Sequence, residues 1–106
     1  GLCFCTFRDA KLVGCNLNGA IAEESDFCGA TFTECKMRNG IFTHSNFAHT
    51  SFQDTDLWMS SFASCCIENS SIMDTETEGV NLSGASEDEE SWVNDSGIRI
   101  GGMGGM

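Results

Sequence analysis

Seven cysteines, two histidines and sixteen carboxylates are the residues through which this 106-residue chain could do chemistry. Their spacing argues against a catalytic centre. There is no Cys-x-x-Cys pair, no glycine-rich phosphate loop and no Ser, His and Asp grouping of the kind a nucleophile needs. The chain therefore reads as a non-enzyme, with no cofactor and no metal expected. The odd cysteine count does not form a disulfide framework and favours a reducing compartment. Net charge is −11, with eleven acids against four bases over residues 1–85 and five acids against Arg99 in the remainder. That balance argues against direct nucleic-acid binding, which needs a basic footprint, and against an anionic membrane surface. No apolar run approaches spanning length, so no membrane insertion is expected, and no secretory signal is visible. A basic partner, or mimicry of a nucleic acid, stays open beside plain solubility.

What positions these residues is a repeat. From Asp26 to Phe62 the large apolar residues Phe27, Phe32, Met37, Phe42, Phe47, Phe52, Leu57 and Phe62 recur every five residues. Two residues before each stands a small one: Ser25, Ala30, Cys35, Gly40, Ser45, Thr50, Thr55 and Ser60. The register extends from Leu2 to Leu82, and fifteen of its seventeen positions are large and apolar, Ala22 and Thr77 being the exceptions. A period of five fits neither helix nor strand, so each unit must bury its apolar residue by stacking on copies of itself.

A small residue, a polar one, a central Leu or Phe and two variable residues resemble the pentapeptide-repeat family. Cys15-Asn16-Leu17-Asn18-Gly19, Ser25-Asp26-Phe27-Cys28-Gly29 and Val80-Asn81-Leu82-Ser83-Gly84 are similar to its pattern. The resemblance spans residues 1–85 and implies an all-β fold. This is a right-handed, four-sided parallel β-solenoid of about four coils, with twenty residues per coil.

Under that rule the central columns read Phe7-Phe27-Phe47-Ile67, Leu12-Phe32-Phe52-Ile72, Leu17-Met37-Leu57-Thr77 and Leu2-Ala22-Phe42-Phe62-Leu82. Each fully buried Phe or Leu contributes about 1.5–3 kcal/mol. Glycines 14, 19, 29, 79 and 84 fall at corners, where unusual backbone angles are needed. Cys5, Cys15, Cys35 and Cys65 fill the small inward position, and Cys15 stacks on Cys35, so that a bridge is conceivable. Cys3, Cys28 and Cys66 face out. Cys28 and His49 share a side in adjacent coils, which is short of a zinc site.

Two groups stand out as partner contacts. Ile21, Ile41, Trp58 and Met59 gather along the edge between the third and fourth sides as an apolar patch. Glu34, Asp54 and Asp74 form one acidic column, and Asp56 and Glu76 another. Like charges one strand spacing apart repel, which a basic partner would relieve.

The ends are read separately. Gly1 is not an initiating methionine and Leu2 is already in register, so a longer parent chain, or a partner over the first coil, is expected. Family members occur in bacteria and in organelles such as the plastid, which a removed targeting segment would fit. After Ala85, Ser86-Glu87-Asp88-Glu89 resembles a capping box, and the sequence predicts a short capping helix within residues 86–97. Trp92 and Val93 would cover the last coil, and Ile98 and Ile100 would add a strand within a 98–106 tail. Such an ending is similar to that of family members that protect topoisomerases, in which it also makes a homodimer.

Two functions are carried forward. One is a structural or interaction scaffold that binds other proteins within a larger assembly. The other is an acidic DNA mimic that binds and protects a type II topoisomerase (gyrase).

Overall fold

A computed structural model describes residues 4–89 and 91–93. Four three-residue strands, β1 (Lys11–Val13), β2 (Thr31–Thr33), β3 (Ser51–Gln53) and β4 (Ser71–Met73), form one parallel sheet in the order β1-β2-β3-β4. Partners are twenty residues apart throughout, as in Leu12 with Phe32 and Phe32 with Phe52. The other three sides are joined by single parallel bridges at the same interval, such as Asp26 with Asn46 and Ile21 with Ile41. The result is a right-handed parallel β-solenoid. Its coils run over residues 5–24, 25–44, 45–64 and 65–84. Within each coil the four sides begin, in order, at the residues aligned with Cys5, Ala10, Cys15 and Ala20.

Stacking satisfies the backbone. Phe27 N–H donates to Asn46 C=O at 2.8 Å, and Asn46 N–H donates back to Ser25 C=O at 3.0 Å. The same exchange recurs on every side, so each coil depends on its neighbours for its polar groups.

Inside, the phenylalanines stack. Phe7, Phe27 and Phe47 lie face to face, with centroids 5.0 and 4.6 Å apart, and Phe32 lies 4.8 Å from Phe52. Phe42 meets Phe27 edge-on at 6.4 Å. Such pairs add about 0.5–1.5 kcal/mol beyond simple burial. The small inward positions carry a second ladder. Ser45 Oγ donates to Ala22 C=O, Thr55 Oγ1 to Phe32 C=O and the Cys65 thiol to Phe42 C=O, each twenty-three residues back. A polar residue of this size fits because its one proton has an acceptor directly beneath it.

Every fifth residue from Phe4 to Gly84 turns a corner with φ between 51° and 78°. All seventeen corners are left-handed, and only five are glycine. Asn and Asp tolerate this region, whereas Phe4 and Met59 sit there against their preference. The side chain three residues before many of these corners stabilises the turn. Asn16, Asp26, Asn46, Asp56 and Asn81 each accept the N–H two residues on, at 2.9–3.1 Å. This gives a physical reason for Asn or Asp at that position.

The C-terminal end is closed from within. Ser86 still pairs in register with Cys66, one residue past the boundary expected from the sequence. Residues 87 and 88 are irregular, residues 89, 91 and 92 lie in turns and Val93 forms a bridge, so the described part of the expected capping helix is not helical. The remainder of that helix lies outside the described residues, as do Ile98 and Ile100. Trp92 is completely buried, with its indole edge-on to Phe62 at 5.2 Å and to Phe52 at 5.7 Å. Those rings belong to coil three, so the indole occupies the interior of coil four. Trp92 Nε1–H donates to Ser70 Oγ (2.9 Å), Ser70 Oγ lies 2.6 Å from Thr50 Oγ1, and Thr50 Oγ1 donates to Phe47 C=O (2.7 Å). Every proton in that chain has an acceptor, and such chains polarise cooperatively.

This closure gives a graded prediction. Trp92→Ala should cost about 3–5 kcal/mol of unfolding free energy in a denaturant titration. Trp92→Phe, which keeps the ring but drops the N–H donor, should cost about 1 kcal/mol more than a pure change of ring size.

Candidate functional site

Among the described residues no cleft gathers a reactive constellation, so function is sought on the sides of the solenoid. On the third side Arg38, Asp56 and Trp58 form a single group. Arg38 Nε donates to Asp56 Oδ2 at 2.5 Å, and the guanidinium carbon sits 5.1 Å from the centre of the Trp58 ring. Asp56 Oδ1 accepts the Trp58 N–H at 3.1 Å. One carboxylate thus holds both the turn and the arginine, while the arginine covers the indole. The first side repeats the arrangement, with Arg8 bonded to Asp26 at 2.8 Å and Cys28 N–H on the other oxygen of Asp26. Burial alone would raise the Asp26 carboxyl, but the Arg8 guanidinium and the Cys28 N–H outweigh it and hold it below the usual range. Both pairs are spaced eighteen residues apart, which twenty residues per coil turns into neighbours.

Of the expected apolar patch, Ile21 and Ile41 are brought together as bridge partners on the fourth side, both exposed. Met59 is half-exposed and leans toward coil four, its sulfur lying over the space a Gly79 side chain would fill. Trp58 is half-buried beneath Arg38. Val13 and Met73 are further exposed apolar residues, on the second side. The sequence did not single them out, although their place just after a central residue gave that signal.

The acidic columns behave differently from each other. Glu34, Asp54 and Asp74 stand exposed at left-handed corners, and the two ion pairs among the described residues go elsewhere. Asp56 is held by Arg38, and Glu76 Oε2 accepts the Glu78 N–H at 2.9 Å. The second column therefore has a local structural role.

The thiols divide by position. Cys15 and Cys35 are free, which answers the question of a bridge. Burial pushes the Cys35 thiol up and the Cys65 thiol up to about 12. His44 and His49 occupy corners, and no group of three metal-ligating side chains occurs among the described residues. No helix among them is long and apolar enough to cross a membrane.

Comparison with known proteins bears on the repeat. The family model for pentapeptide repeats matches residues 4–39 with eight copies. Those residues are pentapeptide repeats, and the same five-residue corner period continues beyond them to Gly84. It is similar in fold to QnrB1, described as a plasmid-mediated fluoroquinolone resistance protein. The full-length form matches at 22% identity and TM-score 0.53, over 72% of this chain and 46% of that one. A trypsin-treated form matches at 22% identity and TM-score 0.51, over 71% and 46%. The chain thus spans about half the length of the QnrB1 structures it matches. A pentapeptide repeat protein, Rfr23 from the cyanobacterium Cyanothece 51142, matches at 10% identity and TM-score 0.49, over 82% and 86%. No curated protein matches the sequence.

The buried thiol makes stability depend on alkaline pH. The unfolded chain loses the Cys65 proton near pH 9, whereas the folded protein keeps it to about pH 12. Proton loss therefore favours the unfolded state, so this contribution is intact below pH 9 and shrinks as pH rises toward 12. Denaturant midpoints between pH 8 and 11 should fall more steeply for the native protein than for Cys65→Ser. In native protein at pH 8, Cys28 and Cys66 should label with a thiol reagent well before Cys65.

Proposed function

We propose that this protein is a non-enzymatic scaffold whose sides dock other proteins, as part of a multi-subunit assembly. The reading rests chiefly on the Ile21–Ile41 pair. Two isoleucines stacked in the open make an apolar strip on a side whose other outward residues run from Glu23 and Glu24 in coil one to Ser61, Ala63 and Ser64 in coil three. Met59 and Trp58 extend it around the edge onto the third side. A rigid strip of this kind suits a protein contact, because ordering it costs the scaffold almost nothing on binding. The −11 charge favours a basic partner.

A second reading is an acidic nucleic-acid mimic directed at a type II topoisomerase. It draws on the exposed Glu34, Asp54 and Asp74 column, a straight file of carboxylates with no ion pair among the described residues. The likeness to a fluoroquinolone resistance protein brings it to mind, but at 22% identity that likeness speaks to fold.

The two readings separate experimentally. Affinity capture from the native source should retain its partners with Glu34→Gln/Asp54→Asn/Asp74→Asn and lose them with Ile21→Glu/Ile41→Glu, both variants melting within a few degrees of the parent. Capture unaffected by the isoleucine changes would refute the scaffold contact. Inhibition of gyrase supercoiling by the parent, lost in the triple neutral variant, would establish the mimic instead.

A further inference from the structure

The third side carries a charge pattern that the scaffold reading does not use. Its two outward columns run Asn16-Lys36-Asp56-Glu76 and Asn18-Arg38-Trp58-Glu78 from coil one to coil four. Lys36 and Arg38 make coil two basic, and Glu76 and Glu78 make coil four acidic, all four being exposed. Between them, in coil three, lie Trp58 and an Asp56 already held by Arg38.

Two copies can lay this side together about a two-fold axis in two ways. With coil axes parallel, the rotation exchanges the columns and sets Lys36 against the partner's Arg38 and Glu76 against the partner's Glu78. That arrangement is like on like. With coil axes antiparallel and the two-fold running along the strand direction of coil three, each column meets itself with coil order reversed. Lys36 then faces the partner's Glu76 and Arg38 faces the partner's Glu78. Trp58 with its covering Arg38 meets the partner's Trp58, and each Asp56, already paired with its own Arg38, meets the partner's Asp56. All four charges at each end are matched, and an aromatic residue stands at the centre, where anchors of isologous interfaces sit.

We infer that the third side is a self-complementary interface through which two copies of this chain pair antiparallel. The occupant is a second copy because the same side supplies both halves of the match in the correct order. Centred on coil three, the pairing overlaps coils two to four of each copy, about 14 Å of height at ~4.8 Å per coil. So small a contact makes a weak, reversible dimer. The charge pattern fixes orientation more than strength. The pairing shares Trp58 with the fourth-side strip but needs no other protein.

Charge reversal tests it on the whole chain. Sedimentation velocity over about 5 to 500 µM should show a concentration-dependent dimer for the parent. Lys36→Glu sets acid against acid, and Glu76→Lys sets base against base. Each variant alone should therefore associate at least about tenfold more weakly. An equimolar mixture of the two matches every pair again and should restore the dimer. Circular dichroism melts would confirm that both variants fold. A parent that stays monomeric throughout overturns the inference. So do single variants that dimerise like the parent, as a dimer through the C-terminal end would, and a mixture that stays monomeric.

Discussion

The interaction on which this molecule depends is the in-register stacking of one coil on the next at an interval of twenty residues. It satisfies the backbone, aligns the phenylalanines and places each small hydroxyl or thiol over a carbonyl, all at once. No coil could do this alone, because its N–H and C=O groups point along the axis, out of its own plane. Stability is therefore a sum over neighbouring coils, as expected for a one-dimensional array. The cost appears at the corners. Seventeen left-handed residues are held in place, twelve of them not glycine, and of those twelve only Asp9, Asn39, Asp54, Asn69 and Asp74 are of the tolerant Asn or Asp type. Only the ladder over-determines them.

An array of this kind has to end. Here the last coil is filled by a residue from beyond the repeats. The Trp92 indole fills it and joins a hydrogen-bond chain that reaches Phe47 in the coil beneath. Phe7, Leu12 and Leu17 of the first coil are half-buried and pack against the same core. The sides of the solenoid differ in chemistry while sharing one backbone. Functional differences have to be written in the outward residues, since the inward ones are fixed by packing.

That division explains what could be read from the sequence. Phe27, Phe32 and Phe47 announce the fold because the interior demands the same class of residue at each turn of the period. The glycine corners were legible for the same reason, but the corners at Glu34, His44 and Met59 were not, since nothing in their chemistry requires φ > 0. Arg38 with Asp56 and Arg8 with Asp26 hide in plain view. Eighteen residues is no helix or strand spacing, and it becomes a contact only once the coil length is known. Trp58 read as an open contact residue, and the structure tucks it under Arg38. The site remained least legible because outward positions carry no periodic constraint, so each must be weighed by its own neighbours.

The most direct test of the account is a pair of deletions that differ by one residue. Removing residues 42–61 takes out one whole coil and joins Ile41 to Phe62 in register. Removing 42–60 leaves one residue too many and throws every later column off its stack. The account predicts that the first variant melts cooperatively, with the β-type circular dichroism of the parent, and that the second does not fold. Equal stability of the two would show that the twenty-residue stack is not what holds the protein together.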